Sequence, residues 1–268
     1  MKQPRVRTLL GRMLTSALTA VDPFEAVRRT VTCTGTTMQV GEHYYDLNRY
    51  KRIFAIGAGK ASARMAVALE QRLGARLTGG SVVVKYGHSA ATSFIDIQQA
   101  GHPVPDLAGQ HAAGQILTLL NQLTSDDLVF VLLSGGASSL LPAPAPGITL
   151  ADKQRTTALL LRSGATIHEI NAVRKHLSAM KGGRLAAATR ARMITLILSD
   201  VLGDDLGTIG SGPTAPDETT YVEAIQTLRR YGLWKKVSPN VRTHLLKGQR
   251  GAYPESPKPG ARIFRRVQ

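Results

Sequence analysis

The chain has 268 residues, with 34 Lys+Arg against 18 Asp+Glu, a formal net charge of +16. Hydrophobic residues make up 43% and charged residues 19%, which excludes a wholly disordered chain and leaves room for one large or two small domains. A lone cysteine, Cys33, excludes a disulfide framework and any CxxC zinc site, and no apolar run reaches the roughly 18 residues of a membrane helix.

Val6, Leu9, Leu10, Met13, Leu14, Ala17 and Leu18 recur at helical spacing, so a helix is expected over 6–20. Arg12 interrupts its apolar run, so no secretory signal is expected and the expected location is cytoplasmic. Asp22-Pro23 reads as an N-cap followed by a first-turn proline, opening a second helix to about Val31. Arg52–Ile56 is a short apolar strand, followed by Gly57-Ala58-Gly59-Lys60 and a helix to about Leu73. Ser81–Val84 and Ile95–Gln98 read as strands, and Asp106 opens a helix to about Leu123. Leu128–Leu133 is continuously apolar, as a doubly buried parallel strand should be.

Ser134–Ser139 (SGGASS) is a Gly/Ser turn, and Pro142, Pro144 and Pro146 mark a loop. Thr149–Ser163 and Ile167–Met180 read as helices broken at Gly164. Met193–Leu198 is a fifth strand, 199–217 a polar loop, Thr219–Tyr231 a helix, and Asn240–Lys247 a short one. No internal repeat is evident. The alternation implies a three-layer α/β/α sandwich with a mainly parallel, Rossmann-like sheet. One α/β domain is expected over 1–248. Residues 249–268 are expected to begin a linker, because Ile263–Gln268 reads as a strand starting where the chain stops.

Four strings carry candidate chemistry. Gly57-Ala58-Gly59-Lys60-Ala61-Ser62 lies between a strand and a helix, where glycines let the backbone approach an anion and Lys60 brings a point charge. It is not a P-loop, since Phe54 and Ala61 occupy obligatory positions. It also misses the dinucleotide fingerprint, since Ser62 replaces the third glycine and the next strand ends in Lys85 rather than an acid. A tight packing turn is the equal alternative. Ser134-Gly135-Gly136-Ala137-Ser138-Ser139 follows the most apolar strand and offers N–H and O–H donors to a phosphate.

The third string runs from Asn171 through Arg174, Lys175, His176 and Ser178 to Lys181-Gly182-Gly183-Arg184. Arg174, Lys175 and Ser178 fall within one helical turn, and two glycines between two cations could close on an anion. Residues 172–192 hold six Lys/Arg and no acid. The bland reading is a solvated basic surface, and His176 alone reads as a structural histidine. Aromatics are only 5%, too few for a stacking platform, so nucleic acid is not the expected partner, nor is a membrane. In the fourth string, Asp200 and Asp204 follow a strand, where open α/β sheets bind ligands, and Ser211-Gly212 comes next. Clustered carboxylates beside cations suggest Mg²⁺ held with phosphates, or a general base. Asp217, Asp205 and Asp106 read better as turn formers or caps.

Together, IGAGKA (56–61), KYGH (85–88), GHPVPD (101–106), LLSGGASSLL (132–141), NAVRKHLSAMKGGRLA (171–186), LILSDVLGDDLGTIGSGPTAPD (196–217) and ESPKPG (255–260) resemble the glycerate 2-kinase family. The resemblance implies ATP- and Mg²⁺-dependent phosphorylation of D-glycerate at its 2-hydroxyl. It makes Lys60 the essential lysine, and Asp200 or Asp204 the essential acid and metal ligand. Gly57, Gly59, the SGGASS residues, Lys181, Gly182, Gly183 and Arg184 would then bind ATP or phosphate. Asn171, Arg174, Lys175, Ser211 and Gly212 would bind substrate. The family's other half, the MOFRL domain, supplies an arginine and would be the missing partner in cis; a homodimer is one possible assembly, and the sequence does not fix the oligomeric state. Some members are called hydroxypyruvate reductases, so an NAD(P)H-dependent reductase is the second reading, and a non-catalytic anion- or nucleic-acid-binding module the third.

Overall fold

The computed structural model describes residues 3–268. Helix α1 (Gln3–Ala20) forms where the spacing places it, yet Leu9, Met13 and Leu14 are each more than half exposed. Helix α2 (Pro23–Thr30) is capped as expected: the Asp22 carboxylate accepts from the N–H groups of Phe24 and Glu25.

An antiparallel meander follows that the sequence reading does not contain: β1 (Val31–Thr34), β2 (Thr37–Val40) and β3 (His43–Asp46). Its strands are four residues each, too short and too rich in Thr and Gln to display an alternating pattern. The signal lies in the turns. Gly35-Thr36 and Gly41-Glu42 are two-residue hairpin loops whose glycines sit at φ 56° and 58°.

The main sheet comprises β4 (Arg52–Ala58), β5 (Gly79–Lys85), β6 (Ile95–Ala100), β7 (Asp127–Ser134) and β8 (Arg192–Leu198). All neighbours are parallel, in the order β6-β5-β4-β7-β8. The helices are α3 (Ser62–Leu73), α4 (Leu107–Asn121), α5 (Ala137–Leu140), α6 (Leu150–Leu161), α7 (Ile167–His176), α8 (Arg184–Ala187), α9 (Tyr221–Arg230) and α10 (Pro239–Gln249). The chain builds outward from β4 to β6, then returns to the other side of β4 for β7. The strand order therefore reverses between β4 and β7, the position at which open α/β sheets bind ligands.

Every residue of β7 is buried. Leu128, Phe130 and Leu132 join one apolar layer with Met65 and Leu69 of α3, while Val129, Val131 and Leu133 join the other with Ile116 and Leu120 of α4. This is the expected three-layer α/β/α arrangement. A third apolar cluster, including Leu160, Val173, Leu228 and Leu245, knits α6, α7, α9 and α10 together.

Two boundaries differ from the sequence reading. Helix α7 ends at His176, not Met180, because the Ser178 hydroxyl and the Ala179 N–H both donate to the Ala143 carbonyl, at 3.1 and 3.0 Å. The proline-rich loop thus ends the helix. Residues 249–268 do not depart from the α/β unit either. The Ser256 hydroxyl donates to Asp217 at 2.7 Å, and the Asp217 N–H donates to the Pro257 carbonyl at 2.9 Å. Phe264 and Val267 pack on the α4 layer. Residues 262–266 form a 3-10 turn instead of a strand, and only then does Val267 pair in parallel with Met193 of β8.

Glu255 is part of the same stitching. Burial opposes its charge, but hydrogen bonds from the His176 ring at 2.9 Å and the Tyr221 N–H at 2.9 Å outweigh it, holding its carboxyl down at about 2. The folded value lies below the ordinary 4.5, so this contribution is present above about pH 4.5 and is lost as pH falls through about 2. In urea titrations, the stability gap between the native chain and Glu255→Gln should be flat from pH 6 to 8 and close across that acid window. A gap that widens on acidification would contradict this assignment.

Candidate active site

The loop after β4 turns against β7. A Cβ on Gly59 (φ 147°) would lie 2.0 Å from Ser134 Oγ, and one on Gly57 would lie 2.0 Å from the Leu132 carbonyl oxygen. Only glycine fits between these strands. The loop's N–H groups are already used: Gly59 donates to Val83 O, Lys60 to Gly135 O and Ala61 to Ser134 Oγ, at 2.9–3.1 Å. Gly57 and Gly59 are therefore strand-packing glycines, correcting the expected phosphate role. Lys60 differs. Its side chain is exposed, and its Cε lies 3.6 Å from where a Gly136 Cβ would stand. His88 Nδ1 lies 3.2 Å from the Lys60 carbonyl, and the His102 ring borders the same Gly136 position. Burial first, then the charges of Lys60 and Lys85, push the His102 ring below its ordinary value. Both histidines lie in strings that carry the family resemblance, KYGH and GHPVPD, but the sequence reading gave neither a role, because neither loop has a charge signature of its own.

The loop after β7 meets this one. Ser134 is buried and its hydroxyl is engaged with Ala61 N–H and Ser62 Oγ, both at 3.0 Å, so it ties the loops together and does not face a ligand. Gly135 and Gly136 leave room for others: a Cβ on Gly135 would lie 2.3 Å from Asp200 Oδ2. Gly136 sits at φ 93° and starts α5 without any side-chain cap over the first amides, those of Ala137 and Ser138. Ser139 donates back to Gly136 O at 3.1 Å. Ser138 is the hub: its hydroxyl accepts from Arg174 at 2.6 Å and lies 2.8 Å from Ser211 Oγ, which in turn donates to Asn171 Oδ1 at 3.0 Å. Asn171 Nδ2 is buried with no partner among the described residues.

The basic cluster is only partly a solvated surface: Arg190 and Arg192 are exposed, but the other four cations are not. Lys175 and Lys181 are buried, and Arg174 and Arg184 are half-buried. Lys175 is committed to Asp217 at 3.1 Å in a buried ion pair, which replaces its expected substrate role. Arg184 donates from Nη1 to the Lys175 carbonyl at the end of α7, at 3.3 Å. The N–H groups of Gly182 and Gly183 donate to Ser211 O and Gly212 O at 3.0 and 2.7 Å. These glycines fasten the loop carrying Ser211 and Gly212, so they are unavailable to phosphate. His176 is held between Ala172 O and Glu255, as a structural histidine.

Beyond β8, Asp200 and Asp204 are exposed and make no hydrogen bond or ion pair through their carboxylates among the described residues. Asp205 instead holds its own turn, accepting from Thr208 Oγ1 and Gly207 N–H, which keep its carboxyl below the usual range. Among the described residues no group of three or more His, Cys, Asp or Glu could cage a metal. Two free carboxylates still fit Mg²⁺, which commonly takes one or two protein carboxylates and completes its shell with water and phosphate oxygens.

A further cation escaped the sequence reading. Lys153 of α6 lies within the fold beside Arg174 and Lys181, since it shares a helix face with Thr156 and the buried Leu160. Its spacing was the available signal, masked by the polar neighbours Asp152, Gln154 and Arg155.

Comparisons with known proteins identify the family and match the fold. A family described as a domain of unknown function, DUF4147, matches residues 9–246. A Pyrococcus horikoshii protein named glycerate 2-kinase is 41% identical over 94% of this chain and 57% of its own length. An Agrobacterium vitis protein named putative hydroxypyruvate reductase is 47% identical over 78% of this chain and 46% of its own. A crystal structure of a Pyrococcus horikoshii protein superposes with a TM-score of 0.90 at 40% identity, covering 98% of this chain and 59% of that one. The chain thus spans about half the length of the curated relatives it matches. No helix among the described residues is long and apolar enough to cross a membrane. With its motifs at the strand ends of a matching fold, the chain belongs to the DUF4147 family, to which its glycerate kinase resemblance had pointed.

Proposed function

We propose that this chain provides the nucleotide and substrate loops of a glycerate 2-kinase, which moves the γ-phosphoryl group of ATP onto the 2-hydroxyl of D-glycerate. The observation that carries this reading is the meeting of three strand-end loops at the β4–β7 reversal: Lys60 N–H bonds Gly135 O, the Lys60 side chain borders Gly136, and the Asp200 carboxylate borders Gly135. The names of the relatives support it. Phosphoryl transfer needs positioning and charge neutralisation more than covalent chemistry. The Lys60 ammonium is placed to meet the transferring phosphoryl oxygens. Asp200 is placed to orient the attacking hydroxyl or, with Asp204, to hold Mg²⁺. When bound, Mg²⁺ would neutralise phosphate charge. Arg174, fixed on Ser138, is placed to meet a substrate anion.

The closing wall of such a site, which excludes water, is proposed to come from a second domain, since the relatives are about twice as long. Glycerate-dependent ADP release, measured for this chain alone and joined to the second half of a relative, tests the reading. Release from the joined protein is expected. NADH oxidation with hydroxypyruvate in its place would favour the reductase reading instead.

A further inference from the structure

Against α5 lies a small, partly open cavity of about 40 Å³, room for roughly three waters or one carboxylate group. Its walls include Ser138, Lys153, Thr156, Arg174 and Lys181. Three basic side chains therefore converge on one small space. None of the three forms an ion pair among the described residues. Lys153 Nζ donates to Leu177 O at 3.0 Å and Lys181 Nζ to Ser138 O at 2.8 Å, leaving the other ammonium hydrogens free. The Thr156 hydroxyl, on a residue only 2% exposed, has no hydrogen-bond partner among the described residues.

Such an arrangement is costly without an anion. Unpaired buried cations lose their hydration, and an orphaned buried hydroxyl forfeits a bond. We infer that this cavity is a carboxylate subsite, in which Lys153, Arg174, Lys181 and the Thr156 hydroxyl grip the carboxylate of a small 2-hydroxy acid. A planar carboxylate suits the Arg174 fork, and the cavity has no room for a nucleotide. Ser138 and Ser139 line it from α5, whose preceding residue, Gly136, borders Lys60 on the other side. The inference rests on the proposed kinase reading for the substrate's identity, but not for the anion site itself.

The electrostatics point the same way. Burial, then the charges of Arg174 and Arg184, lowers Lys153 to about 7, and burial, then Arg174 and Lys153, lowers Lys181 well below its ordinary value. An incoming carboxylate would restore their protons.

The test is calorimetric binding of D-glycerate to this 268-residue chain, with glycerol and inorganic phosphate as controls. D-Glycerate should bind and glycerol, lacking the carboxylate, should not. Lys153→Met and Thr156→Val should each weaken D-glycerate about tenfold or more, as expected for losing a hydrogen bond to a charged group. ATP binding should be unchanged in both. Thr156→Val also separates ligand binding from folding. Replacing an orphaned hydroxyl by its isostere should leave Tm unchanged or raised, while the D-glycerate-induced rise in Tm disappears. Unaltered D-glycerate affinity in both variants would overturn the subsite, even if kinase activity is found. Variant-sensitive binding of phosphate but not D-glycerate would overturn the carboxylate assignment. Variant-sensitive D-glycerate binding without ATP binding or phosphoryl transfer would sustain the subsite while removing the kinase reading.

Discussion

In the protein joined to its second half, replacing Lys60 by alanine should lower kcat for glycerate-dependent ADP release by about 100-fold or more, the usual loss when one preorganised donor to developing charge is removed. The side chain is exposed and takes no hydrogen bond within the described residues, so its removal should leave Tm within a degree or two of the native value. KM for ATP should change less than kcat, because the ammonium is asked to act on charge that grows during transfer. Normal kcat, or a variant that unfolds, would make Lys60 a structural residue and leave the reversal point without its cation.

Asp217→Ala should have the opposite signature, a large loss of stability without any direct touch on the proposed chemistry. The carboxylate is fully buried and accepts from Lys175 Nζ, Ser256 Oγ, and both the N–H and hydroxyl of Thr219. Burial alone would raise its pKa, but these partners more than reverse that and hold it below the usual range. Deleting one member of a buried ion pair strands the other, typically at about 3–5 kcal/mol. Urea denaturation should show a loss of that size, and Lys175→Met in the Asp217→Ala background should recover part of it, since no charge then remains stranded. A loss below about 1 kcal/mol would mean that the pair is solvated in solution.

Asp217 also shows where sequence reasoning falls short. As a residue type after Pro216 it reads as a turn former, and nothing local indicates that Lys175, forty-two positions earlier, meets it. The same limit explains Gly182, Gly183 and Arg184. Two glycines between two cations resemble an anion clasp, yet a second loop occupies their N–H groups. Conversely, strands such as β4, β5 and β7 were legible because buried parallel strands leave apolar runs, and the capped helices because Asp22, Asp106, Thr149 and Thr220 bond their own next turns. The strand-end positions of Lys60, Gly135 and Asp200 followed from that much. What local pattern does not contain is which donors are already spent, and which lysine of a polar helix turns inward.

The reversal between β4 and β7 has a kinetic side as well. Bonding Ile53 to Thr78 across β4 and β5 spans 25 positions, and Gln98 to Ser81 across β5 and β6 spans 17, whereas Arg52 to Asp127 across β4 and β7 spans 75. Closing the longest of these loops costs about 1 kcal/mol more in chain entropy than closing the 25-residue one. Strands β4 to β6 can therefore zip together early, as a local unit, with β7 docking afterward. In that interval the inner edge of β4 stands unpaired, the kind of edge that another chain can extend. The seam at which the three loops meet is thus also the place where a half-folded molecule is most open to misassociation, and aggregation during refolding should begin there.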